Sequence, residues 1–123
     1  MSEGATWLLR AWLEAGATLS DRQVVELADR LERIGSDWAR LHIAQAVGSL
    51  PVPAEVAERF AAFLRGGLVS ERPFLRAWAM DGMVRLAREH PDYSEEADLA
   101  LHAAFADPAA SVKARARRVA AED

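Results

Sequence analysis

One short pattern occurs three times in this chain of 123 residues, at a nearly constant interval. The three segments read WARLHIAQAVGSL, FLRAWAMDGMVRL and VKARARRVAAED, and Ala39, Leu75 and Val112 hold equivalent positions in them. The intervals between these positions are 36 and 37 residues. Self-similarity at a period of about 20 to 50 residues is the signature of stacked supersecondary units. The repeat therefore limits the fold to an array of similar units.

The aligned segments share four columns of apolar or small residues, at offsets 0, 4, 7 and 8 from the first column. Residues at these offsets lie on one face of an α-helix. The columns are Ala39, Leu75 and Val112; Ile43, Ala79 and Ala116; Ala46, Gly82 and Val119; and Val47, Met83 and Ala120. We therefore expect three equivalent helices that turn this face toward a common core.

The rest of the chain also has a helical pattern, because Ala, Leu, Glu and Arg dominate it and runs of Val, Ile and Thr are missing. Capping boxes, helix-stopping glycines and prolines after a cap mark the helix ends. These signals are Ser20 with Gln23, Gly35, Gly66 with Gly67, Asp92 with Glu95, and Asp107 with Pro108. The predicted helices cover about 4–15, 21–34, 37–49, 53–67 and 71–89, and two more start near 93 and 108.

These elements predict an all-α fold in one domain over residues 1–123. A capping helix at about 4–15 precedes three helical hairpins at about 20–50, 53–89 and 92–121. One hairpin cannot bury its own apolar face, so stacked neighbours supply the core. The expected architecture is a short α-solenoid of about three stacked helical hairpins plus an N-terminal capping helix. We expect Trp7 and Trp12 to cover one open end of the stack. The polar closing layer at the other end is expected to consist of Lys113, Arg115, Arg117 and Arg118.

The segments LRAWAMDGMVRL and ARLHIAQAVGSL resemble the second helix of a HEAT repeat, in which a small apolar residue precedes an arginine and alanines follow at helical spacing. The segment DPAASVKARA resembles the loop that enters this helix. The resemblance covers about residues 20–121. The interval is shorter than the ~40–47 residues of HEAT repeats, while the tetratricopeptide alternative, at ~34 residues, lacks its Trp, Leu-Gly and Tyr here. The resemblance implies an α-solenoid whose second helices line a concave binding surface.

The composition excludes several classes of protein. The chain has no cysteine, which excludes a disulfide scaffold, a thiolate metal site and a cysteine nucleophile. Its net charge of -4 argues against general binding to a phosphate backbone. The segment MSEGATWLLRAWLEAG has an acid where a signal peptide has basic residues, and Arg10 and Glu14 interrupt its apolar run. We therefore expect a cytoplasmic protein without a membrane span.

The resemblance places the binding surface on the side of the second helices that faces away from the core. Leu41, Met80 and Val84 fall on that side, and apolar residues are unusual on a surface that meets only water. The predicted partner-binding residues are Leu41, Gln45, Ala77, Met80, Asp81, Val84, Arg117 and Arg118. An exposed apolar strip bordered by charge indicates a protein or peptide partner, or self-association. The alternative is that neighbouring side chains bury this strip.

A column of basic residues, Arg40, Arg76 and Lys113, directly follows the first core column. In HEAT-like repeats this residue commonly reaches an acid near the loop of an adjoining repeat. The candidate acids are Asp37, Glu71 and Asp107. We favour this structural ladder over a ligand-binding basic stripe, because paired arginines and arginines lying along apolar surface are common.

No catalytic, cofactor-binding or metal-binding constellation is recognisable, so we expect neither an enzyme nor a cofactor. Asp98 and His102 are spaced to place two ligands on one metal, but a catalytic zinc typically needs three protein ligands. The pair Gly66-Gly67 lacks the Lys-Ser/Thr that follows the glycines of a phosphate-binding loop. The expected function is that of a protein-interaction module or adaptor.

Nucleic acid is the alternative partner. Some HEAT-like proteins are alkylpurine DNA glycosylases, whose concave face uses Trp, Asp and Arg around the damaged nucleotide. The residues that invite this comparison are Trp38, Trp78, Asp81, Arg115, Arg117 and Arg118. The acidic net charge argues against it, because a nucleic-acid partner rewards a basic field. A chain shorter than those of that family argues against it as well.

Overall fold

A computed structural model describes residues 2–122, which form seven α-helices and no strand. The all-α prediction is therefore confirmed. The helices are α1 Glu3–Glu14, α2 Asp21–Ala28, α3 Asp37–Ala46, α4 Ala54–Leu68, α5 Pro73–Glu89, α6 Ser94–Phe105 and α7 Ala110–Ala121. Short 3-10 turns lie at Leu31–Arg33, Val47–Ser49 and Pro91–Tyr93. None of the helices in this range has the length and apolar character needed to cross a bilayer.

Helices α1, α3, α5 and α7 are neighbours in that order, with α3 packed between α1 and α5, and α5 between α3 and α7. Side-chain contacts join corresponding turns of adjacent helices. The rings of Trp38 and Phe74 stack in the first turns of α3 and α5, and Arg85 binds Glu122 at the far ends of α5 and α7. The Ser36 hydroxyl at the start of α3 likewise donates to the Glu3 carboxylate at the start of α1, so these four helices run parallel to one another.

Helices α4 and α6 pack on this parallel set, and α2 packs beside α4. α4 and α6 both lie against α5, α6 also contacts α7, and α2 contacts α4. Helix α5 is thus the most central element, because it touches α3, α4, α6 and α7. The four predicted core columns are buried with one exception, which confirms that they face the core. The exception is Ala120, which is exposed because it lies in the last turn of α7.

The second helix is shorter than its sequence pattern predicts. The capping box of Ser20 and Gln23 is present, but α2 stops at Ala28 instead of reaching residue 34. The chain then makes a 3-10 turn that buries both Leu31 and Ile34 in the core. In a continued α-helix, Leu31 and Ile34 would point in other directions than they do after the 3-10 turn. The burial of both side chains therefore accounts for the end of α2.

Gly66 and Gly67 lie in the last turn of α4, which ends at Leu68, one residue after the predicted end. A Cβ atom at Gly67 would stand 2.7 Å from the Cβ of Ala79 on α5. At Gly66 no atom lies within 4 Å of the same position. Gly67 therefore permits the close approach of α4 and α5, a role that a helix-stopping pattern does not reveal.

The predicted start of α6 near residue 93 is confirmed, but its predicted cap is absent, and α7 starts two residues later than predicted. α6 begins at Ser94 with no side-chain cap, so Asp92 and Glu95 do not form a capping box. α7 begins at Ala110, after the predicted Asp107-Pro108 start. The Asp107 carboxylate instead accepts a hydrogen bond from the Ala109 N–H at 2.9 Å and binds Arg76. Asp107, which the sequence pattern predicts as a helix cap, therefore forms an ion pair with Arg76.

Helix α1 covers α3, but not with its tryptophans. Trp7 is 49% exposed and Trp12 47%, whereas the residues of α1 that are buried are Thr6 and Leu13. The prediction that Trp7 and Trp12 cover the end of the stack by packing inward is therefore wrong.

Candidate functional site

Four of the predicted partner-binding residues are buried inside the chain, so the expectation that they face solvent is wrong. Leu41, Ala77, Met80 and Asp81 are only 1% to 7% exposed. The reason is the parallel set of helices, in which each helix also covers the side of its neighbour. The cluster around Met80 and Ala77 is completed by Ala104 of α6 and by Val112, Ala116 and Val119 of α7.

The other four predicted residues remain at least partly accessible. Gln45 and Val84 are half-buried, while Arg117 and Arg118 are exposed on α7. Among the described residues, the buried Oε1 atom of Gln45 has no hydrogen-bond partner. A buried acceptor without a partner is uncommon in folded proteins.

Asp81 is the centre of an ion-pair network between α5 and α7. Its carboxylate accepts a hydrogen bond from Nε of Arg85 at 2.7 Å and another from Nη1 of Arg115 at 3.4 Å. Arg85 also binds the carboxylate of Glu122 at 2.9 Å. Burial and these acids act on the Arg85 guanidinium in opposite directions, and its pKa is raised. The network neutralises a carboxylate that is nearly excluded from water.

A cation–π contact adjoins this network, and a separate aromatic pair stacks between α3 and α5. The guanidinium carbon of Arg115 is 4.0 Å from the centre of the Trp78 ring, a cation–π contact. Trp38 and Phe74 stack with their centroids 5.2 Å apart and their planes at 10°, and Trp38 remains 55% exposed. The sequence reasoning missed the Trp38–Phe74 pair. The signal that identifies it is the column directly before the first core column, where two of the three residues are aromatic.

The basic column forms structural contacts, as predicted, at Arg76. Its guanidinium donates two hydrogen bonds to Asp107, at 2.9 and 3.0 Å, and one to the carbonyl oxygen of Ser70 at 3.0 Å. The bond from Arg76 is the main cause that lowers the pKa of Asp107. Arg40 repeats the carbonyl contact, because its Nε binds the Ile34 oxygen at 3.0 Å. Its acid is Asp37 of its own helix, at 3.5 Å.

His42 joins α3 to α1. Its Nδ1 atom lies 3.1 Å from the hydroxyl oxygen of Thr6, a residue with no exposed surface, and that hydroxyl donates to the Glu3 carbonyl oxygen at 2.9 Å. The Thr6 hydroxyl therefore lies between a backbone carbonyl and the imidazole, and it links the first turn of α1 to α3. Burial, helped by the nearby Arg10, lowers the pKa of His42. No three metal-ligating side chains come together within residues 2–122.

A groove of about 680 Å³ lies between helix α4 and residues 28–34, the segment at the end of α2. Its floor includes Ala44 of α3 and Ala79 of α5, and its rim carries the ion pair between Asp29 and Arg59. The groove exists because α2 is much shorter than α4, so part of α4 has no neighbour on that side. The early end of α2 was not evident from the sequence, and so neither was the groove.

Comparison with protein-family models, with curated proteins and with solved structures finds no match. The case for a function therefore rests on the chain's own residues.

Proposed function

We propose that this chain is a short HEAT-like α-solenoid that acts as a protein-interaction module. Three features support the solenoid. Helices α1, α3, α5 and α7 are parallel neighbours, helices α2, α4 and α6 alternate with them along the chain, and three equivalent sets of core columns are buried. In such an array the parallel helices form a continuous surface on the side away from α2, α4 and α6.

The observation that carries the proposed function is the Trp38–Phe74 pair. Its rings stack across α3 and α5, yet Trp38 keeps 55% of its surface in water. Large aromatic side chains at an accessible position are common anchors of protein interfaces. Their role here is to bind an apolar side chain of a protein or peptide partner.

Basic residues supply the second part of this surface. Trp38 and Gln45 are seven residues apart on α3 and share a helix face, and the equivalent of Gln45 on α7 is Arg118. Arg117 and Arg118 are exposed beside this line. A matching partner carries an apolar anchor and, to one side of it, carboxylates. The revised binding residues are Trp38, Phe74, Arg117 and Arg118, with Gln45 and Val84 at the margin.

The test starts with affinity capture from a lysate of the source organism, followed by direct binding of the purified partner. Trp38→Ala is expected to weaken binding by at least about tenfold, the loss typical of an interface anchor. Leu99→Ala is the matched control, because Leu99 is 66% exposed on α6, away from this surface. Equal affinities for Trp38→Ala, Leu99→Ala and the unchanged chain contradict the proposed surface.

A second candidate function is nucleic-acid binding related to the alkylpurine DNA glycosylases. It is favoured by the grouping of a Trp, an Asp and an Arg, the residue types that those enzymes use around the damaged nucleotide. Arg115 lies 4.0 Å from the Trp78 ring and 3.4 Å from Asp81. Asp81, however, is 2% exposed and engaged by two arginines, which opposes a role in contacting a nucleotide. Binding of a single-stranded oligonucleotide is expected to weaken steeply between about 50 and 200 mM salt if this candidate is right. An affinity for the oligonucleotide that does not change with salt concentration rules out this candidate function.

A further inference from the structure

The groove beside α4 has a counterpart one repeat further along the chain. The first groove has a volume of about 680 Å³, and the second, between α5, α6 and the start of α7, has about 150 Å³. Residues at equivalent positions of the repeat line both grooves. The equivalent pairs are Arg40 and Arg76, Ala44 and Met80, Ser70 and Asp107, and Leu75 and Val112. The chain therefore contains a wide and a narrow version of the same site.

The loops that lead into α5 and α7 have the same local geometry in the two sites. The Ser70 hydroxyl oxygen accepts a hydrogen bond from the N–H of Arg72 at 3.1 Å. The Asp107 carboxylate accepts the equivalent bond from the N–H of Ala109 at 2.9 Å. Ser70 therefore stands in the first site where Asp107 stands in the second.

This exchange of an acid for a serine leaves one arginine without its strongest partner. Each arginine donates to the carbonyl oxygen six residues before it at 3.0 Å, Arg40 to Ile34 and Arg76 to Ser70. Arg76 also donates two hydrogen bonds to Asp107, at 2.9 and 3.0 Å. Such a bidentate pair is among the strongest polar contacts in proteins. Since Ser70 has no carboxylate, Arg40 lacks this pair.

The charge of Arg40 is only partly compensated within the chain. The Asp37 carboxylate lies 3.5 Å from Nη1 of Arg40 and 3.3 Å from Nε of Arg72, so two guanidinium groups share one acid. The groove's other charged residues are paired or exposed, and they are Asp29 with Arg59, Glu58 with Arg65, and the exposed Glu32. Positive charge therefore remains beside the groove at Arg40.

The apolar part of the first site is also less filled than that of the second. In the second site Met80 is 1% exposed and packs with Ala104 and Val112. Its equivalent is Ala44, whose short side chain lies one helical turn from Arg40. Apolar side chains form much of the remaining wall, and they are Ala28, Leu31, Phe63, Leu64 and Leu75. The first groove therefore offers an open apolar space next to a cation.

We propose that the groove beside α4 binds a small apolar molecule that carries one carboxylate, such as a medium-chain fatty acid. The carboxylate binds Arg40 as Asp107 binds Arg76, and the apolar chain lies over Ala44, where Met80 lies in the next repeat. A volume of about 680 Å³ is in the usual range of small-molecule sites. The groove does not include the Trp38–Phe74 pair, so this inference does not rest on the proposed protein partner.

The first test is titration with sodium octanoate, followed by NMR of the backbone amides. Octanamide is the matched probe, because it has the same apolar chain without the charge. Octanoate is expected to bind with a dissociation constant of about 0.1 to 1 mM and to shift the amides around Arg40, Ala44 and Ser70. Octanamide is expected to bind at least about tenfold more weakly. Equal affinities of the two probes, no binding of octanoate, or shifts confined to other parts of the chain overturn the proposal.

The second test fills the site with a side chain of the protein. Ser70→Asp supplies the carboxylate that the neighbouring repeat already has, so the variant is expected to fold and to bind octanoate at least about tenfold more weakly. Arg40→Gln removes the cation and is expected to cause a similar loss. Ser94→Asp is the matched control, because it adds the same charge at an exposed position on α6 and should leave binding unchanged. Full affinity in Ser70→Asp, or an equal loss in Ser94→Asp, overturns the proposed site.

Discussion

At the level of single residues, the buried carboxylate of Asp81 is the most consequential polar group. Its side chain is 3% exposed and interacts with Arg85 and Arg115. Removing one partner of a buried ion pair leaves the other charges without compensation, which is strongly destabilising. We therefore expect this residue to matter for stability, although the sequence pattern places it on a binding surface.

Asp81→Ala is expected to lower the free energy of unfolding by about 3 kcal/mol, because the partly buried Arg115 loses its ion pair and Arg85 keeps only Glu122. Urea denaturation measures this difference. Glu26→Ala is the control, since Glu26 forms an exposed ion pair with Arg22 and its loss should cost less than about 0.5 kcal/mol. A loss for Asp81→Ala no larger than that of the control contradicts the structural role.

The pKa of His42 predicts a pH dependence of stability. This pKa is lowered in the folded chain from its ordinary value of 6.5, mainly by burial, so the folded state binds the proton less readily than the unfolded state. The contribution of His42 to stability is therefore fully present above pH 6.5. It is lost as the pH drops below 6.5 toward the lower folded pKa. The urea midpoint measured from about pH 7.5 to about 5 should decrease.

His42→Asn separates this effect from other titrations. The asparagine amide keeps a hydrogen-bond donor for the Thr6 hydroxyl but does not titrate. We expect the variant to lose the decrease in stability just below pH 6.5, while the loss in stronger acid remains. That loss arises from carboxylates such as Asp107 and Glu96, whose pKa values are lowered mainly by Arg76 and Arg65 respectively. An unchanged pH profile in the variant assigns the effect to another group.

At the level of the helices, the adjacent glycines of α4 provide a matched pair. Gly66→Ala is expected to raise the free energy of unfolding by about 0.5 to 1 kcal/mol, because alanine favours a helix and the site is open. Gly67→Ala is expected to lower it by about 1 to 3 kcal/mol, because the new methyl group meets Ala79 at 2.7 Å. Thermal or urea unfolding distinguishes the two, and equal effects contradict the proposed close approach of α4 and α5.

The same helices explain how much of the fold and site can be read from the sequence. Helical period locates the core columns because one face of each of these helices is buried. It does not reveal the lateral neighbours, so Met80, which packs on α7, was placed on a surface. The role of Gly67 is not evident for a similar reason, since glycine is found both at helix ends and where two helices approach closely. The Trp38–Phe74 stack, in contrast, follows from a column that the alignment already contains.

At the level of the whole molecule, the packing order predicts a gradient of local stability. α5 contacts α3, α4, α6 and α7, whereas α1 packs chiefly on α3. In repeat arrays, stability depends on contacts between neighbouring units, and elements with few contacts open first. Native-state hydrogen exchange in dilute solution is expected to show the slowest amides in α5 and faster exchange throughout α1. Equal protection of the two helices contradicts this expectation.

The parallel direction of α1, α3, α5 and α7 also gives the molecule an electrical polarity. Their peptide dipoles add, which makes one edge positive at the helix starts and the opposite edge negative. First-turn acids, Glu3 and Asp37, offset this only in α1 and α3, while last-turn cations, Arg88 and Arg118, offset it only in α5 and α7. The uncompensated potential therefore lies on a diagonal, from a positive corner at the starts of α5 and α7 to a negative corner at the ends of α1 and α3. At the start of α7, an acid of the chain itself occupies part of the positive corner, because the Asp107 carboxylate accepts a hydrogen bond from the Ala109 N–H.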